Sequence, residues 1–334
     1  MQDKILLDHG SGGGASQRLI KELFVSYLGN DILNSLDDAA CLQMQGRLAF
    51  STDTFTVDPL FFPGGDIGSL AVHGTVNDVA MLGARPRYLS CGFILEEGLS
   101  LQTLEDIVAS MARAAKNAEV QVVTGDTKVV PKGKVDKIFI NTSGLGEILV
   151  QDPPAGNRAK PGDAILLTGG IGEHGLAVLA AREELGLQSE VRSDSAALNH
   201  MLAELLTQVP EVHVLRDPTR GGLASTLNEI ADQSGCSCLL KEEDLPVDPA
   251  VIQGCSLLGL DPLYLANEGK AICILPRDKA ELALQVLRSH QVGKNAAWIG
   301  EVQSRDPGRV VLRTRIKGHR ILAMLEGEQL PRIC

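Results

Sequence analysis

Acidic residues close to short apolar runs are the side chains of this sequence best suited to chemistry. Asp53 follows a strand-like run, and Asp126 follows a β-branched run with a glycine beside it. Carboxylates buried near one another are unfavourable without a cation, and hard oxygen ligands favour Mg²⁺, which is normally shared with nucleotide phosphates. We therefore expect a divalent-metal site, with helix capping as the alternative. The acids concerned are Asp37, Asp38, Asp53, Asp78 and Asp126.

A thiol at the end of the sequence is the second candidate. Cys334 closes the run Pro331–Cys334, and an exposed thiol invites oxidation unless it has a use. From Arg320 an extended segment would span roughly 45–50 Å, so the thiol is either a frayed end or a carrier able to reach a distant site. We expect the neighbouring carboxylate to raise the pKa of the thiol and Arg332 to offset that effect, so no activated thiolate is assumed.

A glycine-rich loop near the N-terminus precedes a helical pattern. Such a loop lets backbone N–H groups approach an anion, although the Gly-Lys-Ser/Thr ending of a phosphate-binding Walker loop is absent. A plain flexible loop explains the same residues equally well. The loop residues are Gly10, Ser11, Gly12 and Gly13, and the later segments 124–125 and 141–143 offer further polar groups for phosphate or sugar, among them Thr124, Gly125 and Asn141.

The second half of the chain repeats this design of strand, glycine-rich turn and helix. Asp217 precedes paired glycines, and Glu268 lies in a polar turn before the strand 271–275. Glu268 is the best candidate there for a general base, with helix capping or an ion pair with Lys270 as alternatives. His174 lies in a glycine-rich turn and suits a ligand or a base, but a loop histidine without a partner is more often structural.

The elements that must position these residues indicate two domains. Strands alternate with helices, including an amphipathic helix predicted over Thr103–Asn117, which indicates an α+β (α/β layered) fold. Turn-forming residues concentrate at 151–163 and mark a boundary. We therefore predict a domain over 1–150, an α/β domain over 151–313, and a mobile tail over 314–334.

Composition excludes several classes of function. The net charge is −11, so attraction to nucleic acid or to an anionic membrane is disfavoured, and no window approaches a membrane span. There is no export signal, and the odd cysteine count of 7 argues against a disulfide framework, so we expect a cytoplasmic protein with reduced thiols. Cys236 and Cys238 lack the spacing of a zinc knuckle.

Short motifs are spread along the whole chain: His9–Gly13, Asp37–Ala39, Ser51–Asp53, Asp58–Gly65, Asn77–Ala80, Thr124–Lys128, Asp217–Gly222, Asn267–Lys270 and Pro331–Cys334. Together they resemble the hydrogenase maturation family HypE. The acids and glycines alone would indicate only the wider superfamily of aminoimidazole ribonucleotide synthetase, selenide water dikinase and thiamine-monophosphate kinase. The Pro-Arg-Ile-Cys ending is the most specific part of the resemblance.

The resemblance implies an ATP-dependent dehydratase that makes the cyanide ligands of the [NiFe]-hydrogenase iron. A carbamoyl group from carbamoyl phosphate would arrive through the partner HypF, load on Cys334, and lose water to give a thiocyanate. The product would pass to the HypC–HypD complex. A homodimer is also implied, in which the N-terminal strands of two chains close a barrel and ATP binds near the interface.

The resemblance also assigns roles to residues, by analogy. Asp37, Asp38, Asp53, Asp78, Asp126 and Asp217 match acids that handle Mg²⁺ and phosphates. The glycine loop would close over the nucleotide. Lys128 would stabilise charge on the transferred phosphoryl group, and Glu268 would take a proton from the carboxamide. Two other functions remain open: a small-molecule phosphotransferase with a structural tail, and a non-catalytic nucleotide sensor whose tail docks a partner.

Overall fold

The N-terminal half folds around an open antiparallel and parallel sheet. The computed structural model describes residues 4–182, 189–327 and 332–334, and in this part of the chain the sheet has the strand order β1-β6-β4-β5. Only the β4–β5 pair is parallel. The strands are β1 (Leu48–Phe55), β2 (Phe61–Phe62), β3 (Gly65–Asp66), β4 (Ala84–Glu96), β5 (Gln121–Val130) and β6 (Ile138–Ile148), of which β2 and β3 form a separate small ribbon.

Helices cover one face of this sheet and leave the other exposed. The helices are α1 (Gly14–Leu19), α2 (Val25–Leu28), α3 (Ile67–Met81) and α4 (Leu101–Asn117), and a π-helical turn at Ile20–Phe24 joins the first two. Strand β1 alternates: Ala49 and Phe55 are buried, whereas Phe50 between them is 65% exposed. The predicted amphipathic helix is confirmed as α4, whose apolar face lies in the core.

The C-terminal half forms a larger sheet with helices on both faces. Its strand order is β13-β12-β9-β11-β7-β10-β8 among the described residues, and only β9 and β12 are parallel. The strands are β7 (Ala164–Leu167), β8 (Val214–Arg216), β9 (Ser237–Lys241), β10 (Ile272–Leu275), β11 (Ala297–Gln303), β12 (Val310–Arg313) and β13 (His319–Leu322), and the helices are α5 (Glu173–Ala180), α6 (Asn199–Gln208), α7 (Gly222–Ser234), α8 (Pro249–Leu258) and α9 (Ala280–Ser289).

Three positions differ from the sequence prediction. Asp53 and Asp126 lie within β1 and β5 instead of at strand ends, and Asp78 lies on helix α3.

Strand β13 lies inside the range predicted as a mobile tail. It is part of the sheet, since Leu322 is fully buried and pairs with Val310. Residues 319–322 of the predicted tail 314–334 are therefore part of the C-terminal sheet.

The two halves share one apolar core. Val178, Leu179 and Ala266 from the C-terminal half pack into the core of the N-terminal half, together with Ile333 from the end of the chain. The predicted barrel is not closed within one chain, since strands β1 and β5 remain at the edges of the N-terminal sheet in the part described. No helix in that part is long and apolar enough to cross a membrane.

Candidate active site

The last three residues are docked against the loop that follows β1. The backbone N–H of Thr56 donates to the carbonyl of Cys334 over 3.0 Å, and that of Asp58 donates to the carbonyl of Arg332 over 3.2 Å. Ile333 is 4% exposed and packs into the shared core. Pro331 lies outside the described residues. The Pro-Arg-Ile-Cys ending is therefore an anchored element at the junction of the two halves, as far as its described residues show.

Side chains from both halves hold this ending. The guanidinium of Arg182 donates to the carbonyls of Arg332 (3.1 Å) and Asp58 (3.0 Å). His174 Nε2 lies 2.8 Å from the carbonyl oxygen of Ile333. Arg332 itself pairs with Asp136 and lies over the ring of Phe139.

The thiol of Cys334 is partly buried and lies near acidic groups. Burial and the charges of Glu268 and Asp53 together raise its pKa to about 11, against the lowering effect of a hydrogen bond from Arg220 at 3.4 Å. This direction is the one assumed from the sequence, although burial is its largest cause. The expected cation was wrong, because Arg332 is engaged with Asp136 and Arg220 takes that position.

Four carboxyl groups gather around this thiol. Burial raises the pKa of Asp217 to about 7, with a further contribution from Asp78. Burial also raises the pKa values of Asp53 and Asp78, and the hydroxyl of Ser51 donates to Asp78 over 2.7 Å. Negative charges this close oppose one another's ionisation, and a cation among them would relieve that opposition.

Glu268 is the most strongly perturbed member of the group. Burial raises its pKa well above the ordinary value, and Asp217, Asp194 and the other acids add to the effect. The alternative sequence interpretation, an ion pair of Glu268 with Lys270, is wrong, because Lys270 pairs with Glu173 and Asp194.

A second region of the molecule holds most of the other predicted residues. A cavity of about 490 Å³ opens between the N-terminal glycine loop and strand β5. Its lining includes the apolar side chains of Phe24 and Leu28, and also Asp126 and Lys128, which form an exposed ion pair of 2.9 Å. The predicted residues that line this cavity are Gly10, Gly12, Asp37, Thr124, Gly125, Asp126 and Lys128.

The remaining predicted residues lie beside these two regions. Ser11 and Gly13 are exposed in the glycine loop, and Asp38 is exposed next to Asp37. Asn141 lies on the open face of the N-terminal sheet, where its amide donates to the carbonyl of Asp53 over 2.8 Å and to Thr54 Oγ1 over 3.0 Å. Its amide therefore already joins β6 to β1.

One chain does not bring the two regions together. The acids around Cys334 adjoin β1, the cavity adjoins β5, and these strands form opposite edges of the sheet. Three interstrand spacings separate them by roughly 14 Å. Accordingly, the described residues contain no group of three or more potential ligands close enough to hold a metal ion, and the five predicted metal ligands fall into two sets.

The carboxylates beside the thiol nonetheless suit a divalent cation. Asp78 and Asp217 are half-buried and are not neutralised by any lysine in the described contacts. In addition to burial, the charge of Asp53 raises the pKa of Asp78 and the charge of Asp78 raises the pKa of Asp217, whereas Arg216 lowers both. Oxygen donors of this kind match the preference of Mg²⁺. The donor chemistry thus fits the expected ion, although one chain supplies only part of a coordination shell.

Sequence reasoning did not predict the contacts that hold the tail and the base, although it had named His174 as a possible ligand, base or structural residue. Arg220 and His174 contact the last two residues, and Asp194 contacts the turn that carries Glu268. The Asp-Pro-Thr-Arg-Gly-Gly motif contained Arg220, but its spacing alone did not indicate a thiol partner. No local pattern pointed to Asp194.

Comparisons with known proteins identify the family of the chain. Residues 36–148 match the N-terminal domain of AIR synthase related proteins, and residues 160–313 match the C-terminal domain. The carbamoyl dehydratase HypE of Cupriavidus necator is 53% identical over 333 residues, covering 99% of this chain and 95% of that protein.

Two solved structures extend the comparison. A hydrogenase maturation protein HypE in complex with ATP shares 61% identity and superposes with a TM-score of 0.96, covering 98% of this chain and 99% of that one. The HypE chain of a HypE–HypF complex shares 49% identity with a TM-score of 0.81, covering 91% and 99%. The chain belongs to the HypE family of carbamoyl dehydratases, which function in hydrogenase maturation.

Proposed function

We propose that Cys334 carries a carbamoyl group and that ATP drives its dehydration to a thiocyanate, the source of the cyanide ligands of the [NiFe]-hydrogenase iron. The observation that carries this proposal is the placement of the Cys334 thiol beside Glu268 and Arg220 in a partly buried site between the two halves. Limited access of water would favour loss of water from the carboxamide over hydrolysis of the thioester-like bond.

The proposed reaction has two bond-breaking stages. The carbamoyl oxygen attacks the γ-phosphorus of ATP, the bond from that phosphorus to the β,γ-bridging oxygen breaks, and ADP leaves. Loss of two protons from nitrogen and cleavage of the carbon–oxygen bond then release phosphate and leave S–C≡N. The balance is S-carbamoyl group plus ATP giving S-cyano group, ADP, hydrogen phosphate and one proton.

Glu268 is the proposed acceptor of a proton from nitrogen. It lies in the same buried space as the thiol, since its charge acts on the pKa of Cys334. Burial and the neighbouring acids raise its pKa, which makes the ionised carboxylate a stronger base than an exposed one. Any cation placed near Asp78 and Asp217 would lower the pKa of Glu268 and so support this role.

ATP is proposed to bind in the cavity next to β5. The apolar lining residues Phe24 and Leu28 suit an adenine ring, and the glycine loop and Lys128 suit the phosphates. Lys128 would stabilise the charge on the transferred phosphoryl group after exchanging its ion pair with Asp126 for the phosphate. The relative solved with ATP supports nucleotide binding by this fold.

A homodimer is proposed because the cavity and the thiol lie too far apart within one chain to form a single site. The exposed face of the N-terminal sheet carries Phe50 and Ile94, and β1 and β5 remain at its edges in the described structure. Exposed apolar side chains and unpaired strand edges favour pairing with a second copy. If two such sheets close a barrel, the β5 edge of one copy meets the β1 edge of the other.

This arrangement would also assemble the predicted metal site. Asp37 and Asp126 adjoin the cavity of one copy, and Asp78 and Asp217 would come from the other, with Asp38 and Asp53 beside them. These carboxylates would hold Mg²⁺, which supplies charge neutralisation for the ATP phosphates. The proposed domain roles follow: nucleotide binding and dimerisation for 1–150, positioning of Glu268 for 151–313, and delivery of Cys334 by 314–334.

The proposed partners are HypF as carbamoyl donor and the HypC–HypD complex as cyanide acceptor, in the cytoplasm. The solved complex of a related HypE with HypF supports the first of these. No basic surface for nucleic acid is expected at a net charge of −11.

Intact-protein mass spectrometry tests the proposal. Incubation with HypF, carbamoyl phosphate and ATP should add about 43 Da and then remove about 18 Da, both at one thiol. The variant Cys334→Ala should show neither change. A small-molecule phosphotransferase would keep its turnover in that variant, and a nucleotide sensor would bind ATP without releasing phosphate.

A further inference from the structure

An irregular segment, residues 189–198, passes between the two halves of the molecule. We refer to it as the strap. The backbone N–H of Ser193 donates to the carbonyl of Pro63 over 2.7 Å, and that of Ala196 donates to the carbonyl of Glu268 over 3.3 Å. The side-chain amide of Asn77 on α3 donates to the carbonyl of Ala196 and accepts from the backbone N–H of Leu198. The strap thus touches the N-terminal half and the turn of the proposed base.

Two glycines permit this close passage. A Cβ on Gly64 would lie 2.7 Å from the backbone nitrogen of Ser193, and one on Gly269 would lie 1.9 Å from the carbonyl oxygen of Asp194. Both distances are shorter than any tolerable contact. The middle of the strap therefore packs tightly against the backbone of both halves. Because this packing leaves little free space, a displacement of Ser193 would also shift Asp194 and the turn that carries Glu268.

At one side of this clamp, Ser193 is linked to the docked tail through His174. The hydroxyl of Ser193 lies 2.8 Å from His174 Nδ1, and His174 Nε2 lies 2.8 Å from the carbonyl oxygen of Ile333. A carbonyl can only accept, so Nε2 carries the proton. Burial lowers the pKa of His174, which keeps the ring neutral, so Nδ1 accepts from the Ser193 hydroxyl.

At the other side, Asp194 holds the turn that carries the base. Its carboxylate accepts from the backbone N–H groups of Glu268 (3.3 Å) and Gly269 (3.0 Å) and pairs with Lys270 at 3.2 Å. The side chain of Asp194 is 1% exposed. A buried carboxylate with this many partners fixes the backbone on either side of Glu268.

We propose that His174, Ser193 and Asp194 form a relay that couples docking of the tail to placement of Glu268. His174 and Ser193 are positioning residues for the tail, Asp194 is a positioning residue for the base, and the Ser193–Asp194 peptide joins the two functions. Through this relay, Glu268 would be positioned to act as the base only when the carbonyl of Ile333 is docked against His174. The docking part stands on geometry alone, and the catalytic part rests on the proposed dehydration.

The same strap offers a matched control. Ser195 makes an equivalent contact, 3.0 Å from Nδ1 of His73 on α3, but neither residue has a described contact with residues 332–334. Ser193→Ala and Ser195→Ala therefore remove the same atom two residues apart, and only the first interrupts the proposed relay.

Alkylation of Cys334 measures docking in the full-length protein. In a Cys41→Ser background the remaining thiols other than Cys334 are buried. Ser193→Ala and His174→Phe should each raise the alkylation rate about fivefold or more, because a hydrogen bond of the docked state is lost. Ser195→Ala and Asp194→Asn should alkylate at the wild-type rate, with melting temperatures measured for all variants.

Dehydration of preloaded carbamoyl-Cys334 in a single turnover measures the second half of the relay. Asp194→Asn should slow the 18 Da loss about tenfold or more while docking stays intact. Ser193→Ala should slow the 18 Da loss and also weaken docking. Wild-type alkylation in both Ser193→Ala and His174→Phe would overturn the relay, as would wild-type dehydration in Asp194→Asn. If wild-type protein itself loses no water, the proposed function fails, whereas alkylation still decides the docking part.

Discussion

The Arg220 guanidinium lies 3.4 Å from the Cys334 sulfur, and it is the cation that lowers the pKa of this thiol. Its effect is outweighed, since burial and the charge of Glu268 leave the pKa at about 11. The docked site therefore favours a neutral sulfur, the form present while it carries a carbamoyl or cyano group. Nucleophilic loading requires the thiolate, which forms more readily when the tail has left this site.

Docking of the unloaded tail should weaken as pH rises. A free thiol has a pKa of about 8.5, so the docked state holds its proton more tightly and its stability is fully present below that value. Between about pH 8.5 and 11, the docking equilibrium should fall by up to tenfold per pH unit. The ¹³C-methyl resonance of Ile333 would report this transition.

The control for this pH effect is Cys334→Ser, which cannot ionise in that range. Its Ile333 resonance should stay at the docked position while the wild-type signal moves. Asp53, Glu268 and Arg220 also face the sulfur, and all three are unchanged in the Cys334→Ser protein. Equal pH dependence in both proteins would assign the transition to another group.

Ile333 should contribute most of the docking energy. It is 4% exposed and packs against the shared core, so Ile333→Ala should cost about 2–5 kcal/mol of docking and raise Cys334 alkylation at least tenfold. Ile316→Ala provides the control, because Ile316 is 91% exposed in the same terminal region. Unchanged alkylation in Ile333→Ala would show that polar contacts alone hold the tail.

Glu268→Gln should abolish most of the dehydration without releasing the tail. Removal of a general base lowers rates about 100-fold or more, and Gln keeps the shape and the backbone contacts of the turn. The measurement is loss of water from preloaded carbamoyl-Cys334, followed by intact mass. Glu229→Gln, which removes a partly exposed carboxylate paired with Arg216, is the control. Dehydration at the wild-type rate would remove Glu268 from the mechanism.

Local patterns predicted the elements whose apolar residues recur at a regular spacing. They failed for elements that are buried on most sides, because apolar residues there show no such spacing. Helix α4 was predictable because it has one apolar face, whereas α3 is buried on nearly all sides and shows no such period. Asp78 was therefore recognised as a candidate acid but placed at a strand end. Most of the motif residues proposed for the site lie near the thiol or line the cavity, whereas Ser11, Gly13 and Asp38 lie beside these regions.

Contacts between distant residues were beyond sequence reasoning. His174 meets Ile333 and Arg220 meets Cys334 across more than a hundred intervening residues, and nothing local records either contact. The split of the predicted acids between two edges of one sheet also depends on strand order, which spacing along the chain does not determine. The homodimer was implied only by the family resemblance.

Phe50→Asp should convert the proposed dimer to a monomer. Phe50 is 65% exposed on the open face of the N-terminal sheet, where a buried charge would oppose closure of a barrel. Light scattering after size exclusion should give half the wild-type mass, and dehydration should be lost. Leu257→Asp, at a 77% exposed position of α8, should keep the wild-type mass and activity. If Phe50→Asp keeps the wild-type mass, the dimer interface does not lie on this face of the sheet.

Mixing two inactive variants tests whether each active site is shared between copies. Lys128 adjoins the cavity at β5 and Glu268 adjoins the thiol site at β1, so a site built across the interface takes one residue from each copy. After subunit exchange, Lys128→Ala with Glu268→Gln should regain roughly a quarter of wild-type dehydration, because half of the dimers are mixed and each contains one intact site. Sites confined to one copy would regain nothing, since every copy would then lack one of the two groups.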